Sequence, residues 1–202
     1  ILQGLTQKEL TYHGEFFHFD KVPMELEPFQ KPYPPVWYGV HAPESGARAA
    51  RRGLKVIELD PPGEAKAAYD SFRAAWRESH GDRPLPLMGL GRFIVVAPTD
   101  GEAVAIARRA YPRWEWSFSQ LRRLHKRFSA HPRPPTYDEL EKVGQGIAGS
   151  PATVAAFLRK QLVETGSNYL VGQFAFGDLS VDETLRSLEL FVGEVMPQLR
   201  PL

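Results

Sequence analysis

Four short apolar runs, each followed by a stretch with helical spacing, constrain this chain more than any other feature. Residues 36–40 (VWYGV), 54–59 (LKVIEL), a segment within 85–97 and residues 168–176 (NYLVGQFAF) show little apolar–polar alternation. That is the pattern of strands buried on both faces of a parallel sheet. After the first run, Ala47 and Ala50 stand three apart with Gly53 just past the helix end. After the second, Pro61-Pro62 opens a helix with Ala65, Ala68, Tyr69, Phe72 and Trp76 on one face, ending near Gly81. After the third, Thr99 and Glu102 form a capping box ahead of Ala103, Ile106, Ala107 and Ala110. Ser150-Pro151 starts a further helix with Val154, Phe157, Leu158 and Leu162. Ser180 with Glu183 caps the last, whose apolar face reads Leu185, Leu188, Val192 and Val195. Strand–helix alternation with right-handed crossovers leaves two architectures: an open four-stranded α/β sheet, or part of an eight-stranded β/α barrel.

Two segments interrupt the rhythm. Residues 1–35 are aromatic around Tyr12–Phe19 and then rich in proline (Pro23, Pro28, Pro32, Pro34, Pro35), which predicts an extended strap. Residues 112–145 carry Trp114, Trp116, Phe118, a basic cluster from Arg122 to Arg127 and a second proline group, which predicts an insertion or lid. The expectation is one domain over 1–202. A formal net charge of +1 gives no field to recruit nucleic acid or an anionic membrane. The absence of cysteine removes thiolate chemistry and is compatible with a cytoplasmic setting. No apolar stretch approaches the roughly 20 residues of a membrane span.

Residues 34–53 hold the one local arrangement with chemical meaning. An apolar strand enters a polar turn with Glu44 and Ser45, and the turn opens a helix bearing Arg48. Backbone N–H groups at a helix start, a hydroxyl and a guanidinium form an anion site; Ser45 is equally able to serve as an ordinary helix cap. Gly39 and His41 close the strand at its carboxyl end, where barrel enzymes keep their sites. Glu58 and Asp60 read as a polar strand end before Pro61-Pro62 rather than an acid/base pair. Gln173 and Phe174 face either a pocket or the core. The histidines show no ligand spacing, so no metal site is expected. Gly89-x-Gly91 lies inside a strand and is not a dinucleotide fingerprint.

The run YHGEFFHFDKVPMELEPFQKPYPPVWYGVHAPESGARAARRGLKVI resembles the luciferase-like flavin monooxygenases, the family of bacterial luciferase and alkanesulfonate monooxygenase. The later pieces Gly149-Ser150-Pro151, Gly166-Ser167-Asn168 and Glu194-Val195-Met196-Pro197 follow in matching order. The resemblance implies a (β/α)8 TIM barrel, with this chain covering strands five to eight as a half barrel. It implies a turn at Ala42-Pro43-Glu44-Ser45 that holds the flavin phosphate, with Gly39, His41, Glu44, Ser45 and Arg48 as cofactor-binding residues. It implies reduced FMN with O2 acting on a small organic substrate, supplied by a flavin reductase, or deazaflavin F420 and hydride transfer in a sister branch. The catalytic residues then lie in strands one to four, ahead of Ile1, and the fragment alone is inactive. Oligomerisation, or pairing with the missing half, is expected to cover the open strands. A non-catalytic flavin-binding α/β module is the remaining alternative.

Overall fold

The computed structural model describes residues 1–127, 129 and 131–199. The chain divides into two compact units, 1–36 and 37–202.

The first unit holds a short helix α1 (Leu2–Thr6) and an antiparallel hairpin of β1 (Glu9–His13) and β2 (His18–Pro23). Tyr12 pairs Phe19 and His13 pairs His18, with a register irregularity between Leu10 and Tyr12. The strap expected over 1–35 is therefore a hairpin followed by an irregular proline-rich run. Gly14 and Phe17 close the turn with an N–H···O bond of 2.9 Å. The loose aromatic alternation was a strand signal of period two.

The second unit is built on a five-stranded parallel sheet. Its strands are β3 (Trp37–Gly39), β4 (Lys55–Glu58), β5 (Met88–Val96), β6 (Gly146–Gly149) and β7 (Tyr169–Gln173). Four of them are the four expected apolar runs; β6 is additional. Phe93 pairs with both Gly146 and Gln173, so β6 and β7 flank β5 on opposite sides. Gly89 and Leu90 pair with both β4 and β7, which puts β4 and β6 one after the other along a single edge of β5. On that edge β4 ends at Glu58 opposite Leu90, and β6 begins at Gly146 opposite Phe93. Gly91 and Arg92 face the gap between them. Among the described residues the sheet is open, not a closed barrel.

The helices account for the burial of these strands. Helices α2 (Pro43–Arg51) and α3 (Pro62–His80) pack on Val40, Val56 and Met88. Helix α4 (Asp100–Leu124) and the short α5 (Tyr137–Lys142) cover Phe93, Val95 and Ala97. Helix α6 (Pro151–Thr165) and a π-helical turn (Phe191–Val195) cover Ile94 and Val96. The remaining helices are α7 (Val181–Leu190) and α8 (Met196–Leu199). All nine residues of β5 are buried.

The expected break at residue 112 is displaced. Helix α4 runs through Pro112 to Leu124, held by Tyr111 and Trp114 against Phe93 and by Trp114 stacked on Phe118 at 4.8 Å. A proline missing its N–H is tolerated where aromatic packing fixes both sides of it. The expected apolar face of the last helix is also corrected. Val195 is buried as expected and Leu188 half-buried, but Leu185 and Val192 are exposed, and Ser187 and Phe191 join the buried line. Ser187 is drawn inward because its hydroxyl accepts the N–H of Val96 at 2.8 Å, at the end of β5.

Gly46 marks the tightest helix contact, since a Cβ there would lie 2.3 Å from the Ala68 carbonyl oxygen on α3. Gly46→Ala is expected to lower the unfolding free energy by about 1–3 kcal/mol. Gly101→Ala, in α4 with open space around it, should be neutral or stabilising by up to about 1 kcal/mol. Urea unfolding of both variants checks this; equal effects would show that the α2–α3 contact is not close-packed.

Candidate functional site

The carboxyl ends of β3 and β4 and the gap on the edge of β5 meet at one place. In open α/β sheets ligands bind outside the carboxyl ends of the strands, where loops diverge.

Beyond β3, Val40 donates its N–H to Ile57 O at 3.0 Å, and the chain then turns through His41 and Ala42 into α2. The Ser45 hydroxyl accepts the N–H groups of His41 and Ala42, each at 3.2 Å, and donates to the Ala42 carbonyl at 2.7 Å. It is not the N-cap residue, a position Ala42 holds; it stands at the third helical position and ties the turn back to the helix start. Gly39 is exposed, and a Cβ there would meet no described atom within 4 Å. Glu44 is exposed in the first turn of α2. Arg48 lies one turn further along, its Nη2 3.4 Å from the Tyr38 hydroxyl. Of the five sequence candidates, the hydrogen bonds join His41 to Ser45. Gly39, Glu44 and Arg48 border the same turn, with no side-chain hydrogen bond to either among the described residues.

Glu58 and Asp60 are not a solvated strand end. Both are buried, and they face a cluster assembled from three segments. Glu58 Oε1 accepts the N–H groups of Leu59 and Asp60, both at 3.0 Å. Asp60 Oδ2 lies 2.6 Å from His41 Nδ1 and 3.4 Å from His131 Nδ1, and Asp60 Oδ1 lies 3.4 Å from Arg133 Nη1. The rings of His41 and His131 stack with centroids 4.4 Å apart. Arg133 Nη1 and Gln145 Nε2 both donate to the Leu59 carbonyl, each at 2.9 Å. Gln145 precedes β6, so the start of β6 and the end of β4 are joined through that carbonyl across the gap. His131 is not a scattered histidine: the fold brings it to His41 and Asp60 from 90 and 71 residues away in sequence.

Behind the gap lies Arg92, a charged residue in an otherwise apolar strand. It is buried, its Nε donates to Gln161 Oε1 at 2.6 Å, and its Nη1 donates to Gly91 O at 2.6 Å. Burial lowers its pKa to about 10. Gln161 in turn donates to Gly144 O at 2.8 Å. Tyr69 donates its hydroxyl to the Gly89 carbonyl, and its own pKa is raised by burial. A cleft of about 50 Å3 is lined by Ile57, Leu59, Gly91, Arg92, Phe93, Gln145, Val171 and Gln173. It is large enough only for water and forms a floor rather than a pocket. Gln173 faces this floor, whereas Phe174 packs edge-on against Phe191 in the core.

Burial raises the Glu58 carboxyl from 4.5 to about 7; the Asp60 charge adds to the rise, while the Asp60 N–H and His41 oppose it. A carboxyl whose pKa is higher in the folded chain contributes its full stability below its unfolded pKa. It loses that contribution as pH rises through about 7. In EDTA-containing buffer, the unfolding free energy of Glu58→Gln relative to the parent should therefore rise by on the order of 2 kcal/mol from about pH 5 to about pH 8. A difference independent of pH would show that Glu58 stays charged.

With this geometry in view, the comparisons with known proteins decide the family. The luciferase-like monooxygenase profile matches residues 1–169. The chain belongs to the luciferase-like monooxygenase family. A curated relative, the uncharacterized protein y4wF of Sinorhizobium fredii (strain NBRC 101917 / NGR234), is 33% identical over 201 residues, covering 97% of this chain and 58% of that protein. The chain thus spans little more than half the length of this relative. Among solved structures, the monooxygenase RslO1 from Streptomyces bottropensis is similar with a TM-score of 0.73 at 19% identity, covering 97% of this chain and 57% of that one. The FMN-bound oxygenating constituent of 3,6-diketocamphane monooxygenase from Pseudomonas putida has a TM-score of 0.66 at 19% identity, covering 94% and 58%. The F420-dependent tetrahydromethanopterin reductase of Methanopyrus kandleri has a TM-score of 0.65 at 16% identity, covering 98% and 60%. These likenesses show a shared α/β fold with a parallel sheet. Among the described residues no helix is long and apolar enough to cross a membrane.

Proposed function

We propose that the full-length protein is a flavin-dependent monooxygenase that uses reduced FMN and O2 on a small organic substrate. The observation that carries this reading is the turn after β3. In a chain of this family, an exposed glycine, a helix N-terminus tied by Ser45 and a guanidinium at Arg48 stand together at the carboxyl end of a parallel strand. The residues fit a phosphate-bearing, flat cofactor. Gly39 leaves the strand end open to close approach, and the start of α2 favours an anion. Arg48 would add a charge-assisted donor. When bound, FMN would supply the redox chemistry; this chain's share is to hold the phosphate and shape the sheet face behind the ring. In this reading β3, β4, β5 and β7 are strands five to eight of a barrel, and strands one to four contribute the catalytic residues. A separate reductase delivers the reduced flavin in the cytoplasm, and the enzyme works as a homo-oligomer.

An F420-dependent hydride transfer is the second reading. The F420-dependent reductase superposes on the chain as well as the FMN-bound monooxygenase does, with TM-scores of 0.65 and 0.66, so fold alone does not choose between them. Fluorescence titration of the full-length protein with FMN, reduced FMN and F420 separates the two. Tightest binding of the FMN pair is expected, and binding of none would remove both enzyme readings. Arg48→Ala should weaken FMN binding by about 1–2 kcal/mol with the melting temperature preserved, because among the described residues its one side-chain hydrogen bond is the 3.4 Å approach to Tyr38. Ser45→Ala should weaken it by a similar amount and also lower stability, because the hydroxyl holds two backbone N–H groups. An unchanged FMN affinity in both variants would reject the phosphate assignment.

A further inference from the structure

We propose that His41, Asp60 and His131 form a binding site for a divalent transition-metal ion of the zinc type. One ligand atom from each, a ring nitrogen of His41, a carboxylate oxygen of Asp60 and a ring nitrogen of His131, lies within 4.8 Å of the other two. Zinc bonds to imidazole nitrogen and carboxylate oxygen of about 2.0–2.2 Å put neighbouring tetrahedral ligands about 3.3 Å apart. Asp60 Oδ2 already stands 3.4 Å from His131 Nδ1, and its 2.6 Å contact with His41 Nδ1 has to open by less than an ångström. Two imidazoles and one carboxylate are a donor set suited to zinc, iron(II), cobalt(II) or nickel(II) rather than to magnesium or calcium.

The surroundings match what such a site requires. Asp60 is fixed from behind: its N–H donates to Glu58 Oε1 at 3.0 Å, and its second oxygen lies 3.4 Å from Arg133. Outer contacts of this kind orient metal-binding carboxylates. The imidazoles remain 43% and 39% exposed, so the ion would be reached from solvent and keep room for a further ligand. The two rings stack with centroids 4.4 Å apart, which holds both imidazoles beside the Asp60 carboxylate. The charge balance points the same way. Asp60 is buried, and Arg133 is the one described Lys or Arg within 4 Å of its carboxylate. Buried carboxylates need compensation, and a divalent ion supplies it.

The three ligands come from the turn after β3, the turn after β4 and the loop ahead of α5, so no sequence motif announces them. The inference does not depend on the flavin reading. The test uses full-length protein stripped with EDTA and titrated with ZnCl2 by calorimetry, and with CoCl2 by visible absorption. One zinc per chain with micromolar or tighter affinity is expected, with Co2+ d–d bands of four- or five-coordinate geometry. His131→Ala should weaken zinc binding by about tenfold or more and abolish the cobalt bands, as should Asp60→Asn, with far-UV circular dichroism confirming that both variants are folded. His125→Ala should change neither. Absence of stoichiometric zinc binding, or binding and cobalt bands that survive in His131→Ala, would overturn the site and leave the cluster as a hydrogen-bonded His–Asp pair.

Discussion

The structure depends on how strand β5 satisfies its backbone along nine buried residues. A buried strand cannot leave N–H and C=O groups to water, so both edges need partners over its length. β7 serves one edge from Gly89 to Phe93. The other edge is served in two pieces, by β4 at its start and β6 at its end. The interruption falls at Gly91 and Arg92. There the chain leaves β4 through Leu59 and Asp60, and the Leu59 carbonyl is recovered by Arg133 and Gln145 rather than by a strand. The polar cluster is what replaces a ladder in a place where the ladder stops. Its charged members are buried because the sheet around them is.

This explains which parts of the fold were legible in the sequence. The runs that became β3, β4, β5 and β7 are continuous and apolar, and a continuous apolar run has few other fates in a chain that alternates with amphipathic helices. β6 is Gly-Ile-Ala-Gly, too short and too rich in glycine to carry a strand signal, and it exists because β5 offers it an edge. The helix through Pro112 was hidden for the opposite reason. A local breaker was overridden by packing: Tyr111 and Trp114 meet Phe93 of β5, which itself meets the distant Phe176, and Phe118 stacks on Trp114. Ser187 was unreadable as a buried residue because its partner, the N–H of Val96, lies 91 positions away.

The same division runs through the site. Gly39, His41, Glu44, Ser45 and Arg48 could be nominated together from sequence because a strand, a turn and a helix start are consecutive. Glu58, Asp60, His131 and Arg133 could not, because each is ordinary in its own segment. An acid at a strand end, and a histidine and an arginine among prolines, carry no signal until tertiary structure removes them from water and turns them toward one another. Arg92 offered one clue, a lone charge in the middle of a buried apolar strand, which requires partners on other elements such as Gln161.

His41 belongs to both groups and couples them. Its backbone N–H is held by the Ser45 hydroxyl at the start of α2, while its ring is held by Asp60 beyond β4. Its position is therefore fixed by two strands at once, through a helix cap on one side and a buried carboxylate on the other. Anything that draws the Ser45 hydroxyl or the α2 N-terminus toward an anion acts on the same residue that Asp60 and His131 grip. A change at the Asp60 cluster acts in return on the turn. The two proposed sites would share His41, and a shift of its ring or backbone relative to α2 would be felt at both. The tight crossing of α2 on α3 at Gly46 opposes a movement of α2 itself.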